Sequence, residues 1–180
     1  MNYLLKSERI ILRAFEPNDL NDFLELSKNW KNQPGPDWDK WPVDENGGRE
    51  IVTFFGNQPI NETARLGNPN HQWCAIYCRN ENKVIGLLGI NPSSDDFFLQ
   101  NKMIDLGHVI HSDYQNNDID REAIGLLVEF IFQTMPDVNS IITNNDPNEK
   151  QNAPLFSLGF VNRNESGGEL ILERSNLIKL

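Results

Sequence analysis

Cysteine is scarce: Cys74 and Cys78 are the only two in 180 residues. On a strand they would share one face about 13 Å apart, beyond disulfide reach. Neither they nor nearby His71 fit a common zinc spacing, so no metal is expected, and two buried thiols in a reducing compartment is the reading. No apolar run approaches the roughly 20 residues that span a membrane. The stretch from Met1 to Arg9 is broken by Lys6, Glu8 and Arg9, which argues against a signal peptide. A cytoplasmic chain with no membrane partner is therefore expected. Basic residues are also few: 16 Lys and Arg face 26 Asp and Glu, for a net charge of −10. Phosphate repulsion then excludes nucleic acid as the default partner. The charge is compatible with a cationic or amine-bearing partner, although a solvated acidic surface explains most of it. Internal repeats and heptads are absent. Hydrophobic residues at 38% mark a globular chain with a lean core, read as one domain over 1–180.

What is present alternates in type. Arg9 to Phe15 is β-branched and alternating, the pattern of a first strand. Pro17 suits a helix start, and Leu20, Phe23, Leu24 and Ser27 follow at helical spacing. Glu50 to Phe55 predicts a weaker helix entered from Gly47 and Gly48. Gln72 to Arg79 and Val84 to Ile90 predict a hairpin around residues 80–83, and Met103 to His111 a further strand. The clearest helix carries Ile119, Ala123, Leu126, Leu127, Phe130 and Ile131, and Pro136 closes it. Val138 to Thr143 predicts a strand. Asn148 to Ser157 predicts a short helix damaged by Pro154, and Phe160 to Arg163 with Glu169 to Arg174 a final strand pair. The sum is an α/β arrangement of the α+β type: a mixed, mostly antiparallel sheet of about seven strands with flanking helices.

Between the strand at 103–111 and the strong helix lies a loop, Ser112 to Asp118. A strand entering a helix this way presents unpaired N–H groups at a positive helix end, a ready anion site. A capped helix is the plainer reading of the same residues.

Several motifs share one register with a known family. Ser7-Glu8-Arg9-Ile10-Ile11-Leu12-Arg13 resembles the first strand of the GNAT superfamily of acyl-CoA N-acyltransferases, most closely the branch that acetylates ribosomal-protein N-termini. Asp105-Leu106-Gly107-His108 is similar to that branch's acidic-aliphatic-Gly-aromatic strand. Tyr114-Gln115 and Arg121-Glu122-Ala123 fall in register with its loop and helix start. Asn148, and Leu158-Gly159-Phe160 beyond it, match the end of its last helix and the strand that follows.

The resemblance implies a GNAT-like fold and direct transfer of an acetyl group from acetyl-CoA to a primary amine, on a protein N-terminus or a small molecule. It places the donor on the backbone of Val109 and Ile110, on the loop Gln115, Asn116, Asn117, Asp118, Ile119, Asp120, Arg121, and near Asn148 and Gln151. Asp105 matches an acidic position that relays a proton through water; His108 and His111 are further candidate bases. A backbone N–H near Ile110 would support the thioester oxygen. Trp30, Trp38 and Trp41 fall where the family lines its acceptor site, or else close the core. A homodimer is the implied assembly.

The sequence departs from the family where it matters for charge. Asp118 and Asp120 stand at the loop's two small-residue places. Aspartate tolerates a left-handed backbone. A carboxylate about 4.5 Å from a phosphate oxygen, however, costs roughly 4 kcal/mol at an effective dielectric of 20. Gln151 replaces a usual Ser, and Leu155 a frequent Tyr acid. These departures keep open a second reading, a non-catalytic GNAT-fold binding module with a degenerate acyl-CoA loop.

Overall fold

The computed structural model describes residues 3–32, 41–61, 64–92, 96–115, 118–145, 149–163 and 168–178. Among them the sheet has eight strands, in the order β1-β2-β3-β4-β5-β6-β8-β7. In chain order these are β1 (Tyr3–Lys6), β2 (Ile10–Arg13), β3 (Gln72–Cys78), β4 (Lys83–Asn91), β5 (Met103–Ile110), β6 (Ser140–Asn144), β7 (Val161–Asn162) and β8 (Glu169–Glu173). Each neighbouring pair is antiparallel except β5 with β6.

The sheet is covered on both faces, which explains why β4 is buried from Val84 to Ile90 without alternation. On one face lie α1 (Leu20–Lys31) and α2 (Glu45–Asn57), over a cluster that includes Phe15, Phe23, Phe55, Ala75 and Leu87. On the other lie α4 (Ile119–Thr134) and α5 (Glu149–Ser157), whose Ala123, Leu127, Ile131 and Leu155, with Leu158 just beyond α5, join Ile104, Leu106 and Ile141. Both thiols, Cys74 and Cys78, are buried on β3 and unpaired with each other, and burial pushes the Cys74 thiol up to about 12.

The mostly antiparallel sheet of about seven strands is borne out, with eight among the described residues because Tyr3–Lys6 adds to β2 at the sheet edge, across a register shift between Tyr3 and Leu5. Four residues carry too little pattern to announce a strand. A short helix, α3 (Asp96–Asn101), also went unread between β4 and β5. Finally, α2 starts at Glu45, not Glu50. Asp44 caps it by accepting from the Gly47 N–H at 3.0 Å, and the two glycines sit inside the helix. They are there for contact: a Cβ would lie 2.5 Å from Pro42 Cβ at position 47 and 2.6 Å from Leu24 Cδ2 at position 48.

Pro154 lies within α5 and the helix still runs to Ser157. It stops at Gly159, whose φ of +100° is one that side-chain-bearing residues rarely adopt. A Cβ there would also stand 2.3 Å from the Asn176 carbonyl oxygen. Gly159→Ala is therefore expected to cost about 2–3 kcal/mol, a fall in Tm of roughly 4–12 °C. A melt within 1 °C of the parent would contradict this account of the helix end.

Candidate functional site

The site begins where two strands part. β5 pairs with β4 from Asn91↔Asp105 to Gly86↔Ile110 in an even register, yet with β6 only at Met103↔Ser140, Ile104↔Ile141 and Asp105↔Ile142. Beyond Asp105 the edge of β5 opens. The His111 N–H donates to the Ile85 carbonyl at 2.9 Å, and this fixes the phase of the ladder. Asp105, Gly107 and Val109 direct their backbone groups toward β4, so Leu106, His108 and Ile110 direct theirs into the gap. The Gln115 side-chain amide reaches back to donate to the Ile110 carbonyl at 3.0 Å.

Alternation puts Asp105, Gly107 and Val109 on the face covered by α1 and α2. Asp105 is half-buried where β5 and β6 part. Burial pushes its carboxyl above the ordinary carboxylate range; His71 works against this and Glu169 adds to it. Above Gly107 a Cβ would meet nothing within 4 Å among the described residues. Opposite Gly107, Gly89 lies under the Trp73 ring. Phe55 packs on Trp73 at 4.6 Å between centroids, and His71 stacks on it at 6.1 Å. Over Gly107, then, lies a recess among the described residues, with the Trp73 and Phe55 rings over the neighbouring Gly89 and Asp105 two residues along β5. Trp73 Nε1 is buried with no acceptor among the described residues.

On the opposite face, a cleft of about 210 Å³ opens between the start of α4 and the middle of α5, lined by Asp118, Asp120, Arg121, Ala153, Pro154 and Ser157. Asp118 caps α4 in the left-handed conformation, φ 57°, and makes no side-chain cap bond. Its carbonyl accepts from the Glu122 N–H at 2.9 Å and from Arg9 Nη2 at 3.3 Å. Arg9 also pairs with Glu122, Nε to Oε2 at 2.5 Å, tying the helix start to the strand edge. Asp120 behaves differently. It is 4% exposed, and its carboxylate accepts from the Arg121 N–H at 2.8 Å. A smaller inner recess, lined by His108, Ile110, Gln115, Asp120 and Pro154, separates this cleft from the open edge of β5.

Residues 9–161 match the acetyltransferase (GNAT) domain family. The chain belongs to the GNAT family.

Solved GNAT structures share this fold at low identity. The ribosomal-protein-S5-alanine acetyltransferase of Vibrio fischeri is 16% identical, with a TM-score of 0.69 over 98% of this chain and 100% of that one. A GNAT-family acetyltransferase of Bacillus anthracis is 14% identical, with a TM-score of 0.70 over 97% and 99%. RimL, a ribosomal L7/L12 α-N-protein acetyltransferase solved in complex with coenzyme A, is 15% identical, with a TM-score of 0.70 over 96% and 98%. Comparison with curated proteins gives no significant match.

GNAT acetyltransferases use acetyl-CoA, and the residues here fit it unevenly. The open edge of β5 fits a pantetheine arm, because the His108 and Ile110 backbone groups face the gap. The start of α4 fits a diphosphate poorly as it stands, because a buried carboxylate already sits on its Arg121 N–H.

The structure separates the other candidates. Asp105 and His111 share a face but lie six residues apart, about 20 Å along a strand, so they cannot serve one reacting centre. His111 instead braces the turn before α4. Its Nδ1 accepts from the Asp113 N–H at 3.3 Å, and its Nε2 lies 3.8 Å from Glu25. His108 faces the inner recess on the donor side. Val109 packs against the cluster under α1 and α2. Trp41 packs on Phe23 and Phe55, and Trp30 stacks on Trp41 at 6.2 Å. Ile119 packs on the core, and Leu155 is fully buried and lends packing, not an acid. Gln151 lies in α5, while Trp38, Asn116, Asn117 and Asn148 lie outside the described residues. The reading from sequence missed Trp73, and it weighed His71 only as a metal ligand. Alternation alone would place Trp73 on a covered face, but nothing in the sequence aligns it with Gly89. Among the described residues no three His, Cys, Asp or Glu side chains could hold a metal ion, and no helix is long and apolar enough to cross a membrane.

Proposed function

We propose that this chain transfers the acetyl group of acetyl-CoA directly to a primary amine, on a protein N-terminus or a small molecule, within the recess over Gly107. The observation that carries this is the half-buried carboxyl of Asp105 where the open edge of β5 begins, two residues from Gly107, where a Cβ would meet nothing within 4 Å among the described residues.

An ammonium has no lone pair, so the acceptor must lose a proton before it can attack. Asp105, held above the ordinary carboxylate range by burial, is suited to take that proton through a water. The Trp73 and Phe55 rings bound the recess, limit water and orient an alkyl chain. Acetyl-CoA supplies an activated acyl group. The backbone N–H groups directed into the gap by His108 and Ile110 are suited to bear charge on the carbonyl oxygen. The ribosomal-protein acetyltransferases among the solved relatives support a protein N-terminus as acceptor, and a net charge of −10 favours a cationic one.

A second reading, the non-catalytic binding module, draws on the buried carboxylate of Asp120. Thiol release from acetyl-CoA decides between them, measured over peptides with free N-termini and small polyamines. Release above background with at least one amine is expected. A silent panel, with the protein folded and coenzyme A bound, would leave only the module.

A further inference from the structure

We propose that Asp120 is an internal competitor for the donor's diphosphate, so that this chain binds its donor mainly through the pantetheine arm. The proposal rests on the reading of the α4–α5 cleft as the acyl-donor site.

A helix start leaves its first N–H groups without helical acceptors. In α4 the Glu122 N–H is satisfied by the Asp118 carbonyl, and the Arg121 N–H by Asp120 Oδ1. The positive end of the helix dipole thus already holds one full negative charge. That charge is not free to leave into solvent cheaply, because Asp120 is buried. Asp120 and Pro154 line both the outer cleft and the inner recess, so the carboxylate stands between the anion seat and the open strand edge. A diphosphate entering the seat meets a like charge there and must displace it to reach the Arg121 N–H. An uncharged pantetheine arm meets no such conflict.

The two acids do different work. Asp118 supplies a left-handed backbone and makes no side-chain bond at the cap, so the competition belongs to Asp120. Arg121 stands beside the seat with its Nε buried and without a partner among the described residues. Removing the charge of Asp120 therefore leaves the Arg121 cation at the helix start with no like charge beside it to oppose an anion.

The test is calorimetric titration of coenzyme A and of pantetheine into the full chain, into Asp120→Asn and into Asp118→Asn. Asparagine keeps the shape and an acceptor for the Arg121 N–H, so folding is preserved. In the unmodified chain coenzyme A is expected to bind no more than tenfold tighter than pantetheine, a comparison that needs no variant. Asp120→Asn is expected to tighten coenzyme A at least tenfold and to change pantetheine less than twofold. Asp118→Asn is expected to change both less than threefold. A hundredfold preference of the unmodified chain for coenzyme A would overturn the proposal, as would an Asp120→Asn affinity for coenzyme A that is unchanged or weaker. Absence of binding of either ligand to any of the three proteins would overturn it together with the donor-site reading. The transfer reaction fails separately: tightening without thiol release on any amine removes the reaction and leaves the competition standing, and thiol release with an unaltered Asp120→Asn affinity does the reverse.

Discussion

Asp105→Asn is expected to lower acetyl transfer by about 10²–10⁴-fold, the range of a lost general base, and at the same time to raise Tm at pH 7. The two effects have one cause. Burial disfavours the charged carboxylate, so the folded state holds the Asp105 proton more tightly than the unfolded chain does. Such a group favours folding below its unfolded pKa, and that contribution is lost as pH rises through the higher folded pKa. At pH 7 the upward shift thus counts against the fold, and asparagine removes the conflict. The Tm advantage should shrink as pH is lowered into the acid range, where Asp105 is itself neutral. The acid limb of the rate profile that belongs to Asp105 should vanish in the variant. A variant less stable than the parent at pH 7, or one that keeps full turnover, would contradict the role assigned here.

Asp19→Asn should be the most destabilising of these changes. Arg13, at the end of β2, is 2% exposed and paired in a fork to Asp19: Nη1 to Oδ2 and Nη2 to Oδ1, both at 2.7 Å. The same carboxylate accepts from the Glu16 N–H at 2.8 Å, and the guanidinium lies 4.8 Å from the Tyr77 ring centroid. Removing the negative partner leaves a buried guanidinium uncompensated, at a cost of about 3–5 kcal/mol, or roughly 6–20 °C in Tm. Because the pair sets how the chain leaves the sheet and enters α1, the aromatic wall of the recess should loosen with it. The double variant Arg13→Met with Asp19→Leu is expected to regain most of the loss, since a packed apolar pair needs no charge balance. Denaturant melts of the two variants beside the parent measure this; a loss below 1 kcal/mol for Asp19→Asn would show that the fork is dispensable.

The residues that announced themselves did so through period and punctuation. The 3.6-residue stripe of α4 and the hairpin of β3 and β4 were legible because one face of each must be apolar. The mostly antiparallel frame and the strand carrying Asp105 followed from a shared order of motifs. What stayed hidden depends on register and contact. The shift between Ile76 and Tyr77 moves β3 by one residue and brings Trp73 onto Gly89, and no local pattern encodes that shift. The helix over Gly47 and Gly48 looked like a loop because glycine is a poor helix former, and its reason lies in Pro42 and Leu24. The acids at 118 and 120 were visible as a departure, but only coordinates divide their roles, since one lends a backbone angle and the other a charge.

Gly107 has an ordinary negative φ and empty space where its side chain would project. A methyl group at residue 107 would therefore meet no described atom, so Gly107→Ala should leave the fold undisturbed. A ladder of progressively bulkier side chains there would act as a depth gauge, reporting the dimensions of the visiting molecule while leaving its host undisturbed.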